Sequence, residues 1–243
     1  MSAQDESAWW LDARHPHEPE IDARQQRALL DGLAPAPRRV LELGGGAGRI
    51  TVPLAAAGHH VVAIDHDSTA LDACRAALET AGARAQLVTA DFTDPWPAIE
   101  APFDAVLLLG NTLMTVADVD VAVDVLTRAA DHLAPTGVVL VDDLPADFWP
   151  EVTDGNWLTG ISPDGDSQLA WAESDAVFAW RRGAAVDPPS SHPRAGEVRY
   201  RLWTDGALRL AARAAGLSGP RRVEGAHLLA LGRPGFAWPA GEA

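Results

Sequence analysis

The chain of 243 residues has no lysine, and its 19 basic residues are all arginine, against 34 Asp and Glu, for a net charge of −15. A protein that grips phosphates along a nucleic-acid backbone needs a basic face. The adjacent basic pairs are Arg38-Arg39, Arg181-Arg182 and Arg221-Arg222, scattered along the chain with no longer basic run. DNA and RNA are therefore not expected as substrates, and the acidity reads as solubility. One cysteine, Cys74, excludes an internal disulfide. Long apolar runs are absent too: Ala105 to Leu109 is far too short to span a bilayer. Residues 1–20 are acidic, contain His and Trp, and do not read as a signal peptide. These features together lead us to expect a cytoplasmic protein without a membrane partner. The arginine-, alanine- and proline-rich composition points to a GC-rich, bacterial genome.

What the chain has is a glycine-dense turn. Val40-Leu41-Glu42-Leu43 is a short apolar run with one acid, followed by Gly44-Gly45-Gly46-Ala47-Gly48-Arg49. A strand that turns abruptly into a helix needs residues without a Cβ, and such a turn lets a ligand approach the main chain. The helix then points unpaired N–H groups and its positive dipole end at that ligand. The dinucleotide fingerprint G-x-G-x-x-G would require glycine where Arg49 stands, which argues against a nicotinamide cofactor.

From residue 38 strands and helices alternate, which predicts a parallel sheet with helices on both sides. Strands are expected at 38–43, 60–64, 84–89, 103–109 and 137–141, and helices at 51–57, 68–81 and 118–133, with Ser68 as an N-cap. Residues 19–33 have helical spacing ahead of the first strand. After 142 the pattern changes. Residues 143–166 read as loop, 169–181 and 197–203 as two strands, 204–215 as a helix and 225–231 as a final strand. One domain is expected, with residues 1–36 as an N-terminal helical cap, 38–142 as the core, and 143–243 as an acceptor-side region.

Ligands of doubly wound sheets bind past the carboxyl ends of the strands. Asp65 follows the second strand, 21 residues after Gly44, where a carboxylate can accept from both hydroxyls of a ribose. Asp91 and Phe92 follow the third, a pair suited to an adenine. These residues, with the E-x-G-x-G-x-G form of the glycine turn, resemble the class I S-adenosylmethionine (SAM)-dependent methyltransferases across residues 38–143. The resemblance implies SAM as cofactor, bound by Glu42, Gly44, Gly45, Gly46, Gly48, Asp65, His66 on the adenine, Asp91, Phe92, Gly110 and Asn111. It also implies a doubly wound seven-stranded, mostly parallel sheet in the order 3-2-1-4-5-7-6, with residues 225–231 between strands 5 and 6.

Gly110-Asn111-Thr112-Leu113 lacks the Pro-Pro-aromatic motif of DNA amino-methyltransferases, and residues 103–120 contain no glutamate of the protein-arginine type. Asn111 with Asp142 and Asp143 is a poor cage for a hard cation, so no metal is expected. The likeness that remains is to small-molecule N- and O-methyltransferases, including those of bacterial natural-product pathways. Asn111, Asp142 and Asp143 are the candidate catalytic residues. Trp9, Trp10, Trp149 and Trp157 are the candidate acceptor-binding residues, as an aromatic lid. Trp171, Trp180 and Trp203 read as packing, and Cys74 as core. Expected partners are a small-molecule acceptor and a second copy of the chain. A SAM-binding regulator without methyl transfer is the alternative reading.

Overall fold

The structure is a computed structural model that describes residues 18–142, 160–162 and 164–235, and side chains from residue 24 onward. Asp143, Trp9, Trp10, Trp149 and Trp157 lie outside the described residues.

Helix α1 (Glu18–Gly32) precedes β1 (Arg39–Leu43). Then follow α2 (Thr51–Ala56), β2 (His60–Asp65), α3 (Ser68–Thr80), β3 (Gln86–Thr89), β4 (Phe103–Leu108), α4 (Val119–His132) and β5 (Leu133–Asp142). These are the expected alternating elements, with two local differences. The cap of α3 is Asp67, whose carboxylate accepts from the amides of Thr69 and Ala70, and Ser68 is the first helical residue. β5 starts at Leu133, earlier than 137, because Leu133 pairs with Phe103 across a bulge in the β4 ladder.

Beyond β5 lie β6 (Ser167–Trp171), β7 (Val177–Arg182), β8 (Tyr200–Arg201), α5 (Asp205–Ala214), β9 (Ser218–Val223) and β10 (Leu228–Gly232). Residues 169–181 are two strands of a hairpin, not one: Ala172 and Val177 close the turn by a 2.8 Å backbone bond. β6, β7 and β8 form a separate three-stranded antiparallel sheet. The main sheet has seven strands in the order β3-β2-β1-β4-β5-β10-β9. β10 runs antiparallel to β5, so the final strand inserts between β5 and the edge strand as expected. The edge strand itself, β9, was not legible as a strand.

The sheet is covered on both faces because its central strands are apolar at most positions, Arg39, Glu42 and Asp104 being the exceptions in β1 and β4. Leu41, Leu43, Val106, Leu108, Val139 and Val141 pack with α4 and α5 on one face. Val40, Ala105, Leu107 and Leu140 pack with Leu29 of α1, Leu54 of α2 and Cys74 and Leu78 of α3 on the other. Neighbouring residues on one strand point to opposite faces, which is why the same run fills both cores. The small sheet has its own cluster of Leu169, Phe178, Tyr200 and Leu202, joined to the main body through Met114.

Candidate active site

The carboxyl ends of β1, β2, β4 and β5 converge on the glycine turn. Gly44 and Gly45 donate to the carbonyl of Ile64, at 2.8 and 3.2 Å, which ties the turn to the end of β2. Gly44 and Gly48 sit at φ +76° and +91°, where a side chain is strained. Space forbids one as well: a Cβ at Gly44 would lie 2.6 Å from Thr112 Oγ1, and one at Gly48 would lie 2.6 Å from Cys74 Sγ. Gly46 is different, because a Cβ there meets nothing within 4 Å. The turn is thus packed from behind and open at its crest.

Two carboxylates flank the turn, Asp65 at its open crest and Glu42 on its packed side. Asp65, 8% exposed, accepts from the Gly46 amide at 2.8 Å through Oδ2 and from the Asp67 amide at 2.9 Å through Oδ1. A polar ligand at the crest would meet this carboxylate and the Gly46 N–H together. Glu42, 3% exposed, accepts a short hydrogen bond from the Thr51 hydroxyl. Burial pushes its carboxyl up to about 7, against the lowering effect of Thr51 and of the nearby Arg49.

His66 is exposed, and its Nδ1 lies 3.6 Å from Asp65 Oδ1. Asp91 is exposed at the end of β3, with Oδ1 accepting from the Thr93 amide at 2.8 Å and hydroxyl at 2.7 Å. Those bonds outweigh desolvation and hold its carboxyl below the usual range. Phe92 is buried in the core beside it, so its ring is not free to slide over a ligand.

At the other side of the turn, Gly110 and Asn111 leave β4 with φ of 75° and 64°. Asn is among the few non-glycine residues that tolerate this region. Asp142 fixes the turn by accepting from Asn111 N at 2.8 Å and Gly110 N at 3.3 Å. Its Oδ1 also accepts from Gln25 Nε2 of α1 at 2.9 Å. Gln25 is 2% exposed, and its Oε1 accepts from Arg49 Nη1 at 3.2 Å. The neighbouring Gln26 donates to the Arg49 carbonyl at 2.9 Å. Burial pushes the Asp142 carboxyl upward, while Gln25, Arg49 and the two amides pull it back. With both oxygens engaged, Asp142 acts as a turn anchor that faces the site.

A narrow apolar cleft, with a cavity volume of about 20 Å³, opens beside this turn, lined by Asn111, Leu113, Met114, Val141, Asp142, Trp203 and Leu208. Trp203 closes it from the far side and donates to the Leu113 carbonyl at 2.9 Å. Sequence patterning missed Trp203, Gln25 and Arg49. Trp203 is 5% exposed and so satisfies a packing role while also walling the cleft. Gln25 and Arg49 acquire meaning only from partners distant in sequence. Among the described residues no group of three His, Cys, Asp or Glu is placed to hold a metal ion.

Residues 40–137 match the family model described as "Methyltransferase domain". The chain is 37% identical over 81 residues to a protein-L-isoaspartate O-methyltransferase of Methylorubrum populi, covering 33% of this chain and 38% of that protein. It spans between 2% and 38% of the length of the curated relatives it matches. Among solved structures, the CcbJ methyltransferase of Streptomyces caelestis superposes with a TM-score of 0.60 at 22% identity, covering 91% of this chain and 98% of that one. The 1,6-didemethyltoxoflavin-N1-methyltransferase of Burkholderia thailandensis superposes with a TM-score of 0.56, also at 22% identity, covering 94% and 83%.

Residues 40–137 of the core match a methyltransferase domain, and the strand order and glycine turn are those of the class I, SAM-dependent methyltransferase fold. The residues present would fit SAM: an open crest at Gly46, a carboxylate at Asp65 beside it, and a second acid at Asp91 just past the next strand.

Proposed function

We propose that this chain transfers the methyl group of SAM to a nitrogen or oxygen of a small-molecule acceptor bound in the cleft at Asn111, Met114 and Trp203. The observation that carries the reading is the place of that cleft. It shares the Asn111 turn with the glycine loop, since Thr112 packs directly behind Gly44. An acceptor there would lie against the cofactor's reactive end.

SAM supplies an activated methyl on a sulfonium, so the protein's task is alignment and exclusion of water. Asp65 would hold the ribose hydroxyls, and Asp91 the adenine edge. Leu113, Met114, Trp203 and Leu208 make the acceptor side dry. Asn111 offers its amide to orient a polar group of the acceptor. Asp142 positions that residue through the Asn111 backbone amide. A neutral amine needs little base assistance, whereas a hydroxyl needs a proton acceptor. Because both oxygens of Asp142 are engaged, we favour nitrogen.

A natural-product acceptor is supported by the kinship of fold with the toxoflavin-pathway enzyme, and bacterial origin by the arginine-rich composition. The net charge of −15 supports a small molecule rather than a nucleic acid. Trp9, Trp10, Trp149 and Trp157 would complete the lid.

The test is a screen of a bacterial metabolite library with purified protein and methyl-labelled SAM. Label incorporated into an amine, with S-adenosylhomocysteine formed in equal amount, supports the reading. Tight SAM binding with no transfer to any library member or extract would favour a regulator.

A further inference from the structure

Charge on this chain is segregated. Residues 206–223 carry four arginines, Arg209, Arg213, Arg221 and Arg222, and no Asp or Glu, within a chain of net charge −15. Arg222 is paired with Asp205 at 3.2 Å. The other three line one open groove of about 640 Å³, together with Ser218, Pro220, Pro234 and Gly235. Arg209 and Arg213 are four residues apart on α5 and so lie on one face. Both are exposed, and among the described residues neither has an ion-pair or hydrogen-bond partner. Leu210, beside them, is 69% exposed, more than any other large hydrophobic among the described residues.

The groove lies at the far end of the sheet from the cofactor loop. Ser218 of β9 is level with Gly232 of β10, which is level with Val138 of β5. Asp142, at the active site, is at the opposite end of β5. An occupant of the groove therefore leaves the cofactor and the acceptor cleft unobstructed.

We propose that this groove docks a carboxylate-rich segment of a partner protein. Unpaired arginines flanking an exposed leucine have the composition of an interface, where Arg and apolar side chains are used together. Local positive potential on an otherwise negative chain selects an acidic segment and steers its approach. A compact phosphate would use the arginines but not Leu210, and the exposed guanidiniums form no desolvated cage for it. A nucleic-acid strand would extend its charge past the groove into the field of the acidic remainder.

The test is fluorescence anisotropy with a short labelled peptide of glutamate pairs separated by leucines. Wild-type protein should bind it at low salt, and should bind it with equal affinity when saturated with S-adenosylhomocysteine. The double variant Arg209→Ser, Arg213→Ser should bind about tenfold more weakly, as loss of two charge contacts implies. Leu210→Ser should also weaken binding, and a glutamine version of the peptide should not bind. Unchanged cofactor affinity in each variant establishes that it is folded. Absence of peptide binding, equal binding by the double variant, or competition by S-adenosylhomocysteine overturns the proposal. So does displacement by stoichiometric pyrophosphate together with indifference to Leu210→Ser, which identifies a small-anion site.

Discussion

Glu42 places an ionisable group where its charge opposes the fold. Its carboxyl is 3% exposed at the end of a central strand and titrates at about 7, against an ordinary 4.5. A carboxyl whose folded value lies above its unfolded value favours folding in its protonated form. That contribution is complete below 4.5 and is lost as pH rises through about 7. Above pH 7 the loss amounts to ~3 kcal/mol, at ~1.4 kcal/mol for each tenfold change in proton affinity. Glu42→Gln keeps the shape and an oxygen for the Thr51 hydroxyl but cannot ionise. Free of cofactor, the variant should exceed wild type by no more than ~1 kcal/mol at pH 5 and by up to ~3 kcal/mol at pH 8. For a chain of this size that is roughly 6–12 °C in melting temperature. Differential scanning calorimetry at the two pH values measures it. If Glu42 serves the cofactor as proposed, SAM's positive charge would favour the ionised carboxylate, and the neutral amide of the variant should bind SAM more weakly. A stability difference between variant and wild type that is the same at pH 5 and pH 8 would refute the reasoning.

Asp65→Ala removes the partner of the Gly46 amide and the carboxylate proposed to hold the ribose hydroxyls, and should weaken SAM binding by ~1.5–3 kcal/mol per bond lost; calorimetry showing wild-type affinity would reject the assignment. Gly48→Ala forces a Cβ to within 2.6 Å of Cys74 Sγ at φ +91°, and should cost ~2–5 kcal/mol in urea unfolding; a cost under ~1 kcal/mol would contradict the packing described. Gln25→Leu leaves Asp142 one donor short and Arg49 one acceptor short, and should lower stability by ~2 kcal/mol; an unchanged denaturation midpoint would show that α1 is not held there. Asn111→Gly preserves the left-handed turn while removing the amide. It should lower turnover with the acceptor that the screen identifies and keep SAM affinity within about threefold; the opposite pattern would mean the two halves of the site are reversed.

The core was legible because its signals are local. An apolar run ending in glycines marks β1 and its turn whatever surrounds them, and an acid at the end of β2 marks Asp65. β9 was illegible because Ser218-Gly219-Pro220-Arg221-Arg222 has turn chemistry, and its strand conformation is imposed by pairing with β10. The hairpin inside residues 169–181 was hidden for the opposite reason: Glu173 to Ala176 interrupts two apolar runs too briefly to register as a turn. Trp203 read as packing, which it does, but the same ring walls the cleft. Gln25 carries no sequence signal, since a glutamine in a helix is ordinary until Asp142 is brought to it. Asp143, Trp9, Trp10, Trp149 and Trp157 remain expectations, outside the described residues.

The anchoring of α1 has a consequence for the order in which the chain can finish folding. Gln25 binds a carboxylate 117 residues later and a backbone carbonyl, that of His227, 202 residues later. During synthesis this helix leaves the ribosome before every strand of the sheet, yet its Gln25 contacts cannot form until β5 and then the chain just before β10 have been made. Closing so long a loop is entropically costly and comes late. The amino-terminal helix is therefore a latch on completion. Until residue 227 is made, Gln25 lacks its last acceptor, so the contact that ties the two ends of the fold together is completed only when nearly the whole chain is out.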